Sequence, residues 1–250
     1  MSVSIEPLRC GHLSAPLSIF ESGSGDETVT LPIPSWLVRH PRGTVLFDCG
    51  MHTDTVTDTP MRERISRRFD LDLNPGDLVT ARLEDRQTDP GDIDFVVLSH
   101  LHFDHAGGLA QIPDARVIVQ AAEWRAGFDD ELRRANGFRR GDYDLGHEVT
   151  TVEGDHDLFG DGRVVCMSTP GHTPGHQSLR VALDSGEVVL CADCAYFGHT
   201  LEGGPLPPFG HDTTMQARSI ARLTDRRRHG ARLVPGHDAA VMESLPDRLD

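Results

Sequence analysis

The chain has 250 residues, which is long enough to bury a large core in one domain of mixed secondary structure. Its formal net charge of −15 at pH 7 argues against nucleic-acid or anionic membrane partners, because their phosphates would repel it. No apolar run approaches the roughly 20 residues of a membrane-spanning helix, and no secretory signal pattern opens the sequence. We therefore expect a single domain over residues 1–250, in the cytoplasm, that acts on a small neutral molecule as a monomer or homodimer.

Cysteine usage favours the same compartment. The chain has five cysteines, an odd number that fits reduced thiols better than a disulfide framework. Cys191 and Cys194 form a C-x-x-C pair, but no second pair accompanies them. We expect them to be two semi-buried thiols without redox or zinc chemistry.

Eight runs of apolar and β-branched residues predict strands, because each is closed by glycine, proline or aspartate. The turn sequence DSGE joins two of these runs into a hairpin over residues 178–193. The predicted strands lie at residues 36–40, 44–50, 95–100, 116–120, 163–171, 178–183, 187–193 and 232–237.

Helices are predicted in fewer places. The clearest covers residues 213–229, with Asp212 as its N-cap and Gly230 after its end. Two strand-rich halves with a helical middle predict two packed sheets flanked by helices. The other predicted helices lie at residues 76–85, at a short segment opening at Ala106 or Gly107, and at residues 121–136.

The segment SHLHFDHAGG places three histidines and one aspartate within six positions, directly after an apolar strand. Because alternate side chains of an extended chain face the same way, His100 and His102 reach one ion together. Asp104 and His105 follow as the chain turns, and the pair Gly107–Gly108 lets the backbone approach closely. Imidazole and carboxylate ligands suit zinc and other first-row metals better than calcium or magnesium. The segment therefore predicts a metal site.

Three later strands also end in side chains that bind metals, namely His172, Asp193 and His237. A single histidine at a strand end is usually an ordinary hydrogen-bonding residue, so these assignments depend on the cluster of three histidines and one aspartate at residues 100–105. With it they make seven candidate ligands, the number that a two-metal site needs. His176, four residues after His172, is expected to support the site through hydrogen bonds rather than bind metal.

The ordered motifs HLHFDH, PGH, the single Asp193 and the terminal GH resemble those of the metallo-β-lactamase superfamily, from TVLFDCG onward. The resemblance implies an α/β fold, the αβ/βα sandwich of two packed mixed sheets flanked by helices, with the site at one edge of the sheets. It also implies that His100, His102 and His172 hold one metal ion, that Asp104, His105 and His237 hold the other, and that Asp193 bridges them.

Within the superfamily, the sequence TPGHTPGHQSL, Phe103 and the tyrosine of DCAY resemble the N-acyl-homoserine lactone lactonases and their pyridoxolactonase relatives. The resemblance implies a quorum-quenching hydrolase that opens a neutral lactone with two Zn²⁺ ions, or with Mn, Fe or Co instead. Two metal ions lower the pKa of a shared water toward about 7, so no protein nucleophile is needed. Phe103 and Tyr196 are expected to contact substrate. Tyr196 would stabilise the oxyanion, and Asp104 would carry a proton to the leaving group.

Other functions stay open at this point. The same fold serves pyridoxolactonase-like lactonases, thioesterases of the glyoxalase II type and phosphotriesterases. A mononuclear iron redox enzyme, such as a persulfide dioxygenase, is an alternative of another class that metal analysis would distinguish. A flavodiiron-type reductase is disfavoured because its pattern has glutamate where His102 stands, and a non-catalytic binding module is hard to reconcile with seven ligands.

Overall fold

The computed structural model describes residues 2–57 and 59–250. Within these ranges twelve strands form two sheets. The strands are β1 Ser4–Pro16, β2 Thr28–His40, β3 Gly43–Phe47, β4 Asp70–Asp72, β5 Phe95–Val97, β6 Arg116–Gln120, β7 Val149–Val152, β8 His156–Asp157, β9 Val164–Ser168, β10 Gln177–Leu183, β11 Gly186–Ala192 and β12 Arg232–Pro235.

Six α-helices accompany the sheets in the described part of the chain. No helix found there is long and apolar enough to cross a membrane. The helices are α1 Pro60–Ile65, α2 Val79–Asp85, α3 Ala121–Phe128, α4 Asp130–Ala135, α5 Thr213–Arg228 and α6 Ala239–Ser244.

Both sheets are mixed. The seven-stranded sheet has the order β4-β1-β2-β3-β5-β6-β7, antiparallel from β4 to β3 and parallel from β3 to β7. The five-stranded sheet has the order β12-β11-β10-β9-β8, with only β11 and β12 parallel. The hairpin predicted over residues 178–193 is confirmed as β10 and β11.

Apolar residues cover both faces of each sheet. In β3, Val45 and Phe47 pack in the core between the sheets, whereas Leu46 packs in the core that includes residues of α1, α2 and α3. In β11, Leu190 faces the core between the sheets and Val189 faces the core that includes α5. Strands buried on both faces carry continuous apolar runs, which is why they were predictable. The layers are helix, sheet, sheet and helix, so the predicted αβ/βα sandwich is confirmed, while the single domain over residues 1–250 stays a prediction.

The predicted helix over residues 121–136 is wrong as one helix. The chain leaves the helical conformation at Asp129, whose carboxylate accepts hydrogen bonds from the backbone N–H groups of Glu131 and Leu132. Asp129 therefore caps α4 and separates it from α3. Helix α5 confirms the prediction, since Asp212 accepts a hydrogen bond from the Met215 N–H at its start.

Two other helix predictions differ from the structure. The short helix expected at Ala106 or Gly107 is wrong, because turns occupy those positions and a single 3₁₀ turn follows at Leu109–Gln111. The segment over residues 76–85 is helical only from Val79, after a 3₁₀ turn at Pro75–Asp77. Several elements were not predicted, namely β1, the first half of β2, β4, β7, β8, α1 and α6.

Candidate metal centre

The loops that follow β5, β9, β11 and β12 bring all seven predicted metal ligands to one place. Six of these residues are buried and His102 is half-buried. They form two groups, within each of which the possible donor atoms lie within 4.8 Å of one another. The first group is His100, His102, His172 and Asp193, and the second is Asp104, His105 and His237.

In the first group, three imidazole nitrogens and one carboxylate oxygen converge. The Nδ1 atom of His102 lies 2.9 Å from Nε2 of His100 and 3.0 Å from Nε2 of His172. The Oδ2 atom of Asp193 lies 3.3 Å from Nε2 of His172 and 3.7 Å from Nε2 of His100. Three nitrogens and one oxygen are a donor set that suits a four-coordinate zinc ion.

The second group converges on the other oxygen of the same carboxylate. The Oδ1 atom of Asp193 lies 2.9 Å from Nε2 of His237 and 3.2 Å from Nε2 of His105. The Oδ2 atom of Asp104 lies 3.6 Å from Nε2 of His105 and 4.0 Å from Nε2 of His237. Asp193 therefore turns one oxygen toward each group, which is the arrangement that a bridging carboxylate requires.

Hydrogen bonds to backbone carbonyls orient two of the rings. Nδ1 of His237 lies 2.8 Å from the Pro32 carbonyl oxygen, and Nε2 of His102 lies 2.8 Å from the Asn136 carbonyl oxygen. A carbonyl oxygen only accepts, so each of these nitrogens carries the proton. The opposite nitrogen of each ring then presents its lone pair to the centre, as metal ligation requires.

Asp48 supports the second group and was not predicted. Its Oδ2 atom lies 2.9 Å from Nδ1 of His105, and its Oδ1 atom accepts a hydrogen bond of 2.7 Å from the Ser99 N–H. A carboxylate behind a histidine fixes the ring and makes it a stronger ligand. Asp48 has a φ angle of +60°, and Ala192, next to Asp193, has one of +46°. Such angles are uncommon for residues with side chains and cluster at functional sites.

Electrostatics differ between the two groups. Burial lowers the pKa values of His100, His102 and His172, so these rings are neutral and their lone pairs are free. For His105 burial also disfavours the charged ring, but nearby carboxylates, Asp193 first, raise its pKa well above the ordinary value. Burial alone would raise the pKa of Asp193, but the nearby histidines, His105 first, lower it well below the ordinary value. The carboxylates thus attract positive charge to the second group, which a divalent cation would supply.

A cavity of about 330 Å³ opens onto both groups. Tyr196 lines it, with its ring 5.3 Å from that of His237 between centroids and 5.7 Å from that of Phe20. Burial and then the charge of Asp193 raise the pKa of Tyr196 well above its ordinary value, so its hydroxyl keeps the proton. Phe103 lines the same cavity. The structure therefore places both predicted substrate-contacting residues beside the ligand groups.

Close backbone packing holds the ligand loop in place. A Cβ atom on Gly107 would lie 2.1 Å from the Phe103 carbonyl oxygen, and one on Gly108 would lie 2.0 Å from the Cys49 carbonyl oxygen. Neither backbone can move away easily, so only glycine fits at these two positions. The expected close approach of the backbone is confirmed.

Residues expected to take no part in metal binding lie outside both groups. His176 is buried, and its Nδ1 atom lies 3.1 Å from the Thr169 carbonyl oxygen. All five cysteines are buried and free, and burial raises the pKa of Cys191 to about 12. A thiol with such a pKa stays protonated at neutral pH and is a poor nucleophile.

The chain is also similar over most of its length to proteins of one family. The family described as the Metallo-beta-lactamase superfamily matches residues 29–237. The chain belongs to the metallo-β-lactamase superfamily. The predicted family is therefore confirmed.

Relatives within the metallo-β-lactamase superfamily narrow the comparison. The N-acyl homoserine lactonase AttM of Azorhizobium caulinodans is 34% identical over an alignment of 249 positions that covers 95% of this chain and 94% of that protein. A crystal structure of a quorum-quenching N-acyl homoserine lactone hydrolase matches with a TM-score of 0.84 and 26% identity, covering 98% of this chain and 97% of the other. A structure of N-acyl homoserine lactone hydrolase with the product N-hexanoyl-L-homoserine bound at the catalytic metal center has the same TM-score and identity and covers 98% of both chains. The predicted class of enzyme, a metal-dependent hydrolase, is confirmed.

Proposed function

We propose that this protein opens the lactone ring of N-acyl homoserine lactones, as a quorum-quenching hydrolase with two divalent metal ions. The single observation that carries the proposal is the position of Asp193, whose two oxygens face two separate groups of donor atoms beside one cavity. The similarity to the lactonase AttM and to lactone hydrolase structures supports the choice of substrate.

The donor atoms fit two zinc ions. The Nε2 atom of His105 is buried among carboxylates and makes no hydrogen bond in the described part of the chain, as expected of an atom that binds a cation. His100, His102 and His172 would hold one ion, Asp104, His105 and His237 the other, and Asp193 both. When bound, such ions supply a water of lowered pKa and polarise a carbonyl oxygen. Manganese, iron and cobalt accept the same mixture of imidazole and carboxylate.

The cavity suits a molecule with a polar head and an apolar tail. Residues of both ligand groups line it, and so do aromatic and aliphatic residues. Two aromatic pairs, Phe69 with Phe103 and Phe20 with Tyr196, have centroids 5.6 Å and 5.7 Å apart. Burying an acyl chain against this surface would contribute about 0.8 kcal/mol per methylene group. The large apolar lining residues are Leu13, Phe20, Leu31, Phe69, Phe103 and Phe209, and Ala135 lines the cavity as well.

Two side chains would act on the lactone itself. Tyr196 keeps its proton and lies at the edge of the ligand groups, so its hydroxyl would donate to the carbonyl oxygen as negative charge develops there. Asp104 lines the same cavity and would carry a proton to the departing ring oxygen. The buried, protonated thiols supply no competing nucleophile.

A pH-stat comparison of lactones, thioesters and phosphotriesters tests the proposal. We expect N-acyl homoserine lactones to be hydrolysed fastest, activity to disappear with a chelator and Zn²⁺ to restore it. His172→Ala should abolish activity. His229→Ala, which alters an exposed histidine at the end of α5, should not. A higher kcat/KM for a thioester, a phosphotriester or a heteroaromatic lactone would contradict the proposal.

Location and assembly belong to the same proposal. We infer a cytoplasmic enzyme, supported by five free cysteines, whose thiols a reducing compartment would preserve. We infer a monomer or homodimer, since every proposed ligand comes from one chain.

A further inference from the structure

Glu123 in α3 is a buried carboxylate that lies outside both groups of donor atoms. Its residue exposure is 0%. Its Oε1 atom accepts a hydrogen bond of 3.1 Å from the Leu101 N–H, and its Oε2 atom accepts one of 2.8 Å from the Gly175 N–H. Each oxygen of the carboxylate is therefore bonded to a different loop.

Both loops carry proposed ligands. Leu101 lies between His100 and His102 in the loop that follows β5 of the seven-stranded sheet. Gly175 lies three residues after His172 in the loop between β9 and β10 of the five-stranded sheet. One side chain thus connects ligand segments that belong to different sheets.

Helix α3 lies in close contact with both loops. A Cβ atom on Gly175 would lie 2.2 Å from the backbone nitrogen of Glu123, and one on Gly127 would lie 2.7 Å from Cδ1 of Leu101. The glycine at position 175 lets the loop approach the helix, and the loop then lies within reach of the carboxylate. The three segments are therefore packed directly against one another.

Burying the carboxylate of Glu123 costs free energy. Burial raises the pKa of Glu123 to about 7, although the Gly175 N–H, the Thr173 side chain and the Leu101 N–H oppose this. No basic side chain of the described residues forms an ion pair with it. An apolar side chain of the same size would avoid the cost of removing a charge from water. The two hydrogen bonds are what the carboxylate provides in return.

We propose that Glu123 is a positioning residue that fixes His172 relative to His100 and His102 and thereby sets the metal affinity of the first group. The inference rests on the ligand set of the proposed function. The carboxylate of Glu123 is suited to this role because two acceptor oxygens on one rigid plane can hold two amide donors at a fixed separation.

The test compares the metal-loaded wild-type enzyme with Glu123→Gln and with Glu131→Gln, the same change at an exposed position in α4. Glutamine keeps one acceptor oxygen, and its NH₂ group would face an N–H donor, so one loop is released. In competition with a chromophoric chelator, we expect Glu123→Gln to bind Zn²⁺ about 10–100-fold more weakly than wild type and Glu131→Gln to match wild type. With Co²⁺ in place of Zn²⁺, the visible spectrum of Glu123→Gln should also change.

Glu123→Asp separates positioning from simple loss of the negative charge. Its carboxylate keeps the charge but is one methylene shorter, so it reaches only one of the two amides, and we expect weaker Zn²⁺ binding again. It also serves if Glu123→Gln does not fold. Unchanged Zn²⁺ affinity and Co²⁺ spectrum in a folded variant, with only a lower melting temperature, would overturn the role of Glu123. Failure of the wild-type enzyme to bind metal would instead contradict the proposed function.

Discussion

At the scale of single residues, Asp193 is the side chain on which both proposed metal sites depend. Its Oδ2 atom faces the first group and its Oδ1 atom faces the second. Asparagine keeps one oxygen, loses the negative charge and presents an amide nitrogen that does not bind metal. We therefore expect Asp193→Asn to weaken both sites together, and elemental analysis after dialysis should show less than one metal equivalent per chain.

The matched control for this prediction is His237→Ala. His237 belongs only to the second group, so this variant should keep about one equivalent in the first. An Asp193→Asn protein that retains two equivalents would show that the carboxylate does not bridge.

Tyr196 permits a second test at this scale, because it is not a proposed metal ligand. Its ring is buried against Phe20 and His237, and Tyr196→Phe keeps that packing. Loss of the hydroxyl should leave metal content intact and lower kcat for lactones by an amount that corresponds to roughly 2–4 kcal/mol. Steady-state kinetics with an N-acyl homoserine lactone give the value.

The other tyrosine of the chain provides the control. The hydroxyl of Tyr143 donates a hydrogen bond of 2.6 Å to the Gly127 carbonyl oxygen. Tyr143→Phe should therefore cost about 1 kcal/mol of stability and leave kcat unchanged. Equal lactone turnover by Tyr196→Phe and wild type would remove Tyr196 from the mechanism.

The residue scale also shows where prediction from sequence ends. The ligands at residues 100–105 were predictable because four metal-binding side chains lie within six positions after one strand. Asp48 was not, because its contact with His105 joins residues 57 positions apart. The carbonyl of Pro32 that orients His237 is 205 positions away from it. Such contacts depend on how the sheets pack and leave no local pattern in the sequence.

At the scale of elements, local signals decided which helices and strands could be predicted. Helix α5 begins at its predicted residue because the Asp212 cap and the apolar face are local features. Strand β1 was missed because Pro7 and Gly11 interrupt its pattern, and the first half of β2 because it contains two prolines. Those segments extend through pairing with each other, which is a tertiary effect.

Glu187 in β11 joins α5 to the five-stranded sheet and predicts a pH-dependent stability. It accepts a hydrogen bond of 2.8 Å from Arg226 of α5 and one of 3.0 Å from Arg180 of β10. Burial alone would raise the pKa of Glu187. The two arginines lower it by more than burial raises it, so the pKa lies below the ordinary value of 4.5. A lowered pKa means that the ion pairs stabilise the fold above pH 4.5 and lose this contribution as the pH falls through the folded pKa.

Glu187→Gln should therefore lower the free energy of unfolding at pH 7 by up to about 1 kcal/mol, the range for partly exposed ion pairs. The difference from wild type should shrink as the pH falls below 4.5. Urea unfolding across this pH range measures it. Glu243→Gln, at an exposed position in α6, should show no such dependence. A difference that grows in acid would contradict the assignment.

At the scale of the whole molecule, the proposed metal ions connect the two sheets. The four ligands at residues 100–105 follow β5 in the seven-stranded sheet. His172, Asp193 and His237 follow strands of the five-stranded sheet. Each of the two donor groups therefore contains ligands that follow strands of both sheets. Metal binding should therefore stabilise the packing of one sheet on the other, as well as provide the chemistry.

Removing the metal should lower the stability of the entire fold. A ligand present at 100 times its Kd stabilises the folded state by about 2.7 kcal/mol, so chelation should lower the free energy of unfolding by at least this amount per tightly bound ion. Urea unfolding of the enzyme with and without chelator measures the loss, and added Zn²⁺ should reverse it. Asp193→Asn, with both sites already weakened, should respond much less than wild type. Equal unfolding free energies for the metal-loaded and metal-free wild-type enzyme would mean that the ions do not connect the sheets, because ions held by ligands from both sheets bind the folded state far more tightly than the unfolded chain.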